Sequence, residues 1–220
     1  KPWYEWPEDI MNRERDSIES VSRKLEDEMD FLRFLQYHFY KQWTYLHSYC
    51  KERNIMILGD IPIYVDHDSA DVWSQRKYFQ LDRHGRPSAV AGVPPDYFSR
   101  TGQRWGNPLF QWDELEKDGF SWWLRRIGHW ADMCDILRID HFRGFLSYWS
   151  IPQHEMTAVN GHWETGPSDR FLDTIGKNFP HLFMVAENLG MITSDVDEAM
   201  KKMGLPGMLV LQFAFDGNMS

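Results

Sequence analysis

Cysteine is scarce. The 220 residues hold Cys50 and Cys134 only, too few for a disulfide framework, so a reducing compartment is the default. Long apolar runs are missing too: no segment approaches the roughly 20 residues of a membrane-spanning helix. The opening "KPWYEWPEDI" lacks the apolar core of a signal peptide. Positive charge is in deficit, with 24 Lys and Arg against 33 Asp and Glu and a net charge of −9. That balance argues against a nucleic-acid partner, whose phosphates call for a basic face. There is no G-x-G-x-x-G and no P-loop to hold a nucleotide. The nine His and two Cys show no zinc-ligand spacing. "DHDSAD" at residues 66–71 lacks the Gly and terminal Glu of an EF-hand loop. No repeat or low-complexity tract is evident. These absences predict a soluble cytoplasmic protein that uses no metal and no cofactor, binds neither membrane nor nucleic acid, and acts on a neutral substrate.

What the chain has in excess is aromatic: 11 Trp, 9 Tyr and 14 Phe. Aromatic rings carry a large burial payload and fill cores. Flat rings also stack on the apolar faces of pyranose sugars, and composition alone does not choose between the two uses.

Residues 7–53 read as helical, with Ile18, Val21, Leu25, Met29, Leu32 and Leu35 recurring at three- and four-residue steps. Asn54 is a stop signal. "IMILGDIPIYV" (55–65) is a continuous apolar run, the pattern of a strand buried on both faces of a parallel sheet. Residues 67–113 are rich in Gly and Pro, lack periodicity and read as one long functional loop. "GFSWWLRRIGHWADMC" is the next helix, leading into a second strand, "DILRID". "HLFMVAENLG" is the third and "GMLVLQFAF" the fourth. Strand, excursion, helix and strand again is the α/β pattern. Charges at the ends of about four strands predict the central part of a (β/α)₈ TIM barrel, where functional residues gather at strand C-termini. The expected division is a helical segment over 1–54 attached to barrel elements over 55–220.

The charged strand ends carry the chemistry. Side chains alternate along a strand, so in "DILRIDHFRGF" Ile136, Arg138 and Asp140 share one face. A guanidinium beside Asp140 favours the ionised carboxylate that a nucleophile requires; a salt bridge at a strand end would read the same. His141 falls on the opposite face unless the strand has already ended. In "FMVAENLG", Phe183, Val185 and Glu187 share a face. Apolar surroundings would push Glu187 towards its protonated form, as a general acid needs; a helix cap is the alternative. Asp60 in "GDIPIYV" is a third candidate, or a turn former. One ionised and one protonated carboxyl are the apparatus for cleaving glycosidic bonds.

Four motifs, "GDIPIYV", "PPDYFSRTGQRWGNPLFQWD", "RIDHFRGF" and "VAENLG", together resemble the amylomaltases, or 4-alpha-glucanotransferases, relatives of the α-amylases. The resemblance runs from "WYEWPE" to the last strand, and the segment 94–108 is its most specific part. It implies Asp140 as nucleophile, Arg138 as its charge partner, Glu187 as general acid/base and Asp60 as a contact to the sugar at the cleavage point. Asp96, Gln103 and Trp105 would belong to a substrate-covering loop within 92–113, with residues 92–95 as its hinge or brace, and His141 would be a substrate contact. The implied substrates are maltooligosaccharides and other α-1,4-glucans. The family's third catalytic Asp would lie beyond Phe215 and the first barrel strands before residue 1, so the chain is expected to be a middle piece whose open edges favour self-association. Two other readings stand: an α-glucan hydrolase of related fold, and a catalytically incomplete glucan-binding fragment.

Overall fold

Helical periodicity from residue 7 resolves into three helices: α1 (Glu8–Met11), α2 (Arg15–Lys24) and α3 (Glu26–Lys51). In this computed structural model, which describes residues 1–97, 99–190 and 192–215, the breaks are local. Arg13 takes a left-handed backbone (φ 59°), and Leu25 leaves the helical region (φ −109°, ψ 21°). Asn54 ends the helical run with φ 56°, a conformation that Asn tolerates better than most residues. Among the described residues no helix is long and apolar enough to cross a membrane.

Beyond Asn54 the chain runs β1 (Leu58–Ile61), α4 (Ala70–Ser74), β2 (Ala89–Val93), β3 (Gln103–Pro108), α5 (Trp112–Lys117) and α6 (Ser121–Met133). It continues through β4 (Ile136–Ile139), β5 (Ser147–Pro152), β6 (His162–Thr165), α7 (Ser168–Asn178), β7 (Phe183–Ala186) and α8 (Ser194–Met203). The fold is mixed α/β. β1, β4 and β7 form a parallel sheet in that order. Gly59, Ile61, Leu137, Ile139, Met184 and Ala186 bury one face of it. The opposite face, which carries Asp60, Arg138 and Val185, stays half open, so these strands are buried on one side rather than both.

The expected fourth strand does not form. Residues 211–215 make a 3₁₀ helix, Leu211–Phe215. The preceding residues run beside β7 through one bond, Ala186 N–H donating to the Pro206 carbonyl at 2.9 Å. Among the described residues the parallel sheet is therefore three-stranded, with β1 and β7 at its edges.

Residues 67–113 are not a structureless loop either. β2 and β3 pair antiparallel, and β2 also pairs with β5, giving a second sheet of order β3-β2-β5-β6. Glycine explains both the missing periodicity and the pairing. A Cβ on Gly92 would lie 2.1 Å from the Gln103 carbonyl oxygen and 2.5 Å from Ile151 Cδ1, so β3 approaches only because nothing is there. Gly102 (φ 66°) turns the chain back, and a Cβ on it would lie 2.4 Å from the Val93 carbonyl oxygen. Gly92 and Gly102 thus let the two strands close on each other. Gly92→Ala is expected to cost about 1–3 kcal/mol, the usual penalty for overpacking, and to lower the urea midpoint. An unchanged midpoint would show that β3 is free to move away.

Part of the aromatic excess is core. Trp3, Trp123, Phe110, Phe142, Phe145 and Phe171 are almost fully buried, and many meet edge-on or tilted, as quadrupoles prefer. Seven aromatics of α3, from Phe31 to Tyr49, are exposed, and so are Trp105 and Trp163 near the charged strand ends, at 38% and 37%.

Candidate active site

Strand register assembles the charged residues. Asp60 lies opposite Arg138 in the β1–β4 pairing. Ile139 pairs with Ala186 across β4–β7, so one further step sets Asp140 beside Glu187. Backbone bonds carry the ladder past the strand ends: Glu187 N–H donates to the Ile139 carbonyl at 2.9 Å, and Asp140 N–H to the Ile61 carbonyl at 3.0 Å. Asp60, Arg138, Asp140 and Glu187 are brought together at the C-terminal edge of the open face.

The Arg138 guanidinium is shared. Its Nη1 donates to both Asp60 oxygens at 2.7 Å, and its Nη2 reaches Asp140 Oδ1 at 2.7 Å. Burial works against its charge, but Asp60 and Asp140 more than offset that and hold its pKa above the usual value. Glu187 stands beside this ion-paired group. Burial raises its pKa, with the neighbouring Asp140 charge adding to the rise; backbone donors from Leu189 (2.7 Å) and His141 (3.0 Å) and the Arg138 charge work the other way without cancelling it. One carboxylate is thus ion-paired and the next is pushed towards its acid form.

β4 ends at Ile139, and His141 has a left-handed backbone (φ 51°). The alternation therefore stops before His141, and its ring faces the cavity beside Glu187 rather than away from it. The residue is only half-buried, but its Nε2 is sealed from solvent with no partner among the described residues. Burial pulls the imidazole pKa down to about 4, helped by the Arg143 charge, so the ring is neutral near pH 7. It stands edge-on to Trp105 at 4.9 Å between centroids.

Trp105 divides the open face into two hollows. One of about 200 Å³ is lined by Glu187, His141, Arg143, Trp163, Gln103 and Asp96. The other, about 360 Å³, is lined by Asp140, Tyr64, Asn107 and Pro62. Trp105 lines both. Gln103, two residues before it on the same face of β3, accepts from the Trp105 indole N–H at 3.1 Å. Asp96 accepts from Ser99 N–H at 2.8 Å, closing the β2–β3 turn that overhangs the smaller hollow. Phe98 of "PPDYF" lies outside the described residues.

Tyr64, Arg143 and Trp163 also line these hollows and were not among the candidates. Arg143 had a signal, as the last charge of "RIDHFR"; Trp163 had none. The carboxylates of "DHDSAD" are used structurally. Asp66 accepts from Asp68 N–H, Asp68 from Trp3 N–H and Asp71 from the Trp122 indole N–H.

Comparison with known proteins identifies the family. A family model described as 4-alpha-glucanotransferase matches residues 1–220. The chain is 47% identical over 218 residues to the 4-alpha-glucanotransferase of Thermus thermophilus, covering 99% of this chain and 44% of that protein. It is 47% identical over 213 residues to the chloroplastic/amyloplastic 4-alpha-glucanotransferase of Solanum tuberosum, covering 97% and 37%. The structure of an amylomaltase from Streptococcus agalactiae in complex with acarbose superposes with a TM-score of 0.95 at 40% identity, over 100% of this chain and 45% of that one. An amylomaltase from Corynebacterium glutamicum, 18% identical with a TM-score of 0.72 over 83% of this chain and 25% of that one, shares the fold. The chain spans less than half the length of these relatives. With a family model matched from end to end, this chain belongs to the 4-alpha-glucanotransferase family.

Proposed function

We propose that the protein transfers α-1,4-glucan segments between maltooligosaccharides by a retaining double displacement. The observation that carries this is the pairing of Asp140, ion-paired to Arg138, with Glu187, pushed towards its acid form, on adjacent strands in register. Neighbouring strands lie about 4.8 Å apart, compatible with the roughly 5–5.5 Å between carboxyls in retaining enzymes. An Asp140 oxygen attacks the anomeric carbon while Glu187 protonates the departing 4-oxygen. The covalent glycosyl ester forms and the C1–O bond breaks. Glu187, now ionised, then takes the proton of an incoming sugar 4-hydroxyl, whose oxygen displaces Asp140. Asp60 keeps Arg138 in place and faces the sugar beside it. Neutral His141 and the Gln103 amide offer hydrogen bonds to hydroxyls, Asp96 holds the overhanging turn, and Trp105 stacks on a ring between the hollows.

On this reading the three parallel strands are consecutive strands of a (β/α)₈ barrel. Their open edges, with the exposed aromatics of α3, are where the remaining barrel elements pack; a second copy of the chain is the other candidate to cover them. The protein works in the cytoplasm, where its free Cys50 and Cys134 stay reduced.

The test is incubation with maltotriose, following products by chromatography. Glucose together with longer maltooligosaccharides is expected; reducing sugar without longer products would mean hydrolysis. The absence of longer products, with or without binding of maltotriose, would overturn the proposal. Trp105→Ala is expected to raise the maltotriose KM about tenfold, equivalent to about 1.4 kcal/mol. An unchanged KM would remove the stacking role.

A further inference from the structure

We propose that Trp163, backed by Arg143, is the platform for the sugar on the acceptor side of the reacting bond, and that it sets how often the intermediate is taken by a sugar rather than by water. The proposal rests on the transfer reading above and names a part of the site which that reading leaves unassigned.

The nucleophile and the acid must touch different sugars. The nucleophile bonds the anomeric carbon of the sugar that stays, and the acid meets the oxygen of the sugar that leaves. Asp140 lines the larger hollow and Glu187 the smaller one, with Trp105 between them. The departing sugar therefore sits in the smaller hollow. By microscopic reversibility the accepting sugar enters by the same place.

Trp163 is built into that hollow's wall. It lies on β6, directly across from Trp149 in the strand register, and the two indoles meet at 5.1 Å and 69°. Trp149 is anchored by its indole N–H donating to the Ala158 carbonyl at 2.9 Å, and packs on buried Val90, Ile151 and Ala158. A Cβ on Gly161 would lie 2.2 Å from Trp149 Nε1, so β6 is drawn in tightly against it. Arg143, buried in the turn after the nucleophile, holds its guanidinium carbon 4.0 Å from the centre of a Trp163 ring. A cation thus sits against the indole, Trp149 meets it across the sheet, and Trp163 lines the hollow. A ring left 37% exposed forfeits burial that the core tryptophans obtain, and a sugar's apolar face restores it. Such stacking also fills the space through which water would reach the intermediate.

α-Maltosyl fluoride separates the two half-reactions. In the first, fluoride leaves C1 as Asp140 bonds to it, with no departing sugar to hold. In the second, glucose supplied as acceptor gives its 4-hydroxyl proton to Glu187 as its oxygen bonds C1 and Asp140 leaves. Trp163→Ala is expected to raise the glucose concentration for half-maximal transfer about tenfold. The hydrolysed share of the intermediate should rise, while fluoride release at saturating donor falls by less than about twofold. Trp163→Phe, which keeps a flat ring, should recover most of the acceptor binding. An unchanged acceptor dependence would overturn the proposal. So would fluoride release in Trp163→Ala that falls as far as transfer does, or Trp163→Phe behaving like Trp163→Ala. If the unaltered protein released fluoride yet built no longer glucan at any glucose concentration, the transfer reading itself would fail, and the platform with it.

Discussion

Asp140→Asn is expected to abolish glucan transfer, lowering the rate by roughly four to six orders of magnitude, the scale of losing a covalent nucleophile, while leaving the fold nearly as stable as before. The amide has the shape of the carboxylate but no charge to drive attack on the anomeric carbon. The fold survives because the Arg138 guanidinium is doubly held. With Asp140 neutral, both Asp60 oxygens still accept from Arg138 Nη1 at 2.7 Å, so no cation is left without a counter-charge. Asp140 is more than a third exposed, and ion pairs of that kind contribute about 0–1 kcal/mol. A melting temperature within a few degrees is therefore expected beside the lost rate. Turnover of maltotriose above about 1% of the original would place the nucleophile elsewhere. A collapse of the fold would show that Asp140 is structural, the salt-bridge reading of the same residues. Asp60→Asn tests the shared arrangement from the other side: it leaves Asp140 as the sole counter-charge, so transfer should weaken through a misplaced Arg138 rather than vanish.

How much of this was legible depended on whether the deciding contacts were local. The strands "DILRID" and "FMVAE" show in their apolar runs, and alternation alone puts Arg138 with Asp140 and sets Glu187 at the end of its own strand. Asn54 marks the end of α3 because a left-handed residue is a local event. The second sheet was not legible. Its strands include "AVAGV" and "QRWGNP", which carry the glycines that normally discourage a strand; Gly92 is there because Gln103 comes so close, a contact between residues 11 apart. Residues 207–215 misled in the opposite direction. Their apolar run resembles a strand, but the Pro206 carbonyl takes a single bond from Ala186 and the chain then coils into the 3₁₀ helix. His141 turned on where β4 stops, a boundary that alternation does not reveal. Trp163 gave no sign, since its role comes from Trp149 across the sheet and Arg143 from another loop.

Glu187→Gln is expected to lower turnover of maltotriose by about 10²–10⁴-fold, the usual contribution of a positioned acid, and to erase one limb of the pH profile. Glu187 must carry a proton when the 4-oxygen departs. Burial and the Asp140 charge push its pKa above the ordinary carboxylate range, and the N–H groups of Leu189 and His141 only partly restrain that rise. Since the protonated form is the active one, the rate with maltotriose should fall as pH climbs through that raised pKa. Gln has no proton to lose, so the variant should show a low rate without that alkaline fall. The leaving group separates acid catalysis from mere positioning. A sugar fluoride departs without a proton, so Glu187→Gln should form the glycosyl ester from α-maltosyl fluoride at nearly the original rate and then stall, because no base deprotonates the acceptor hydroxyl. Azide, which needs no deprotonation, should rescue the second step and yield a glycosyl azide of retained configuration. A variant equally slow with fluoride and with maltotriose, or one that keeps the alkaline limb, would assign the proton to another group. Neutral His141, whose ring lines the same hollow as Glu187, would be the next to replace.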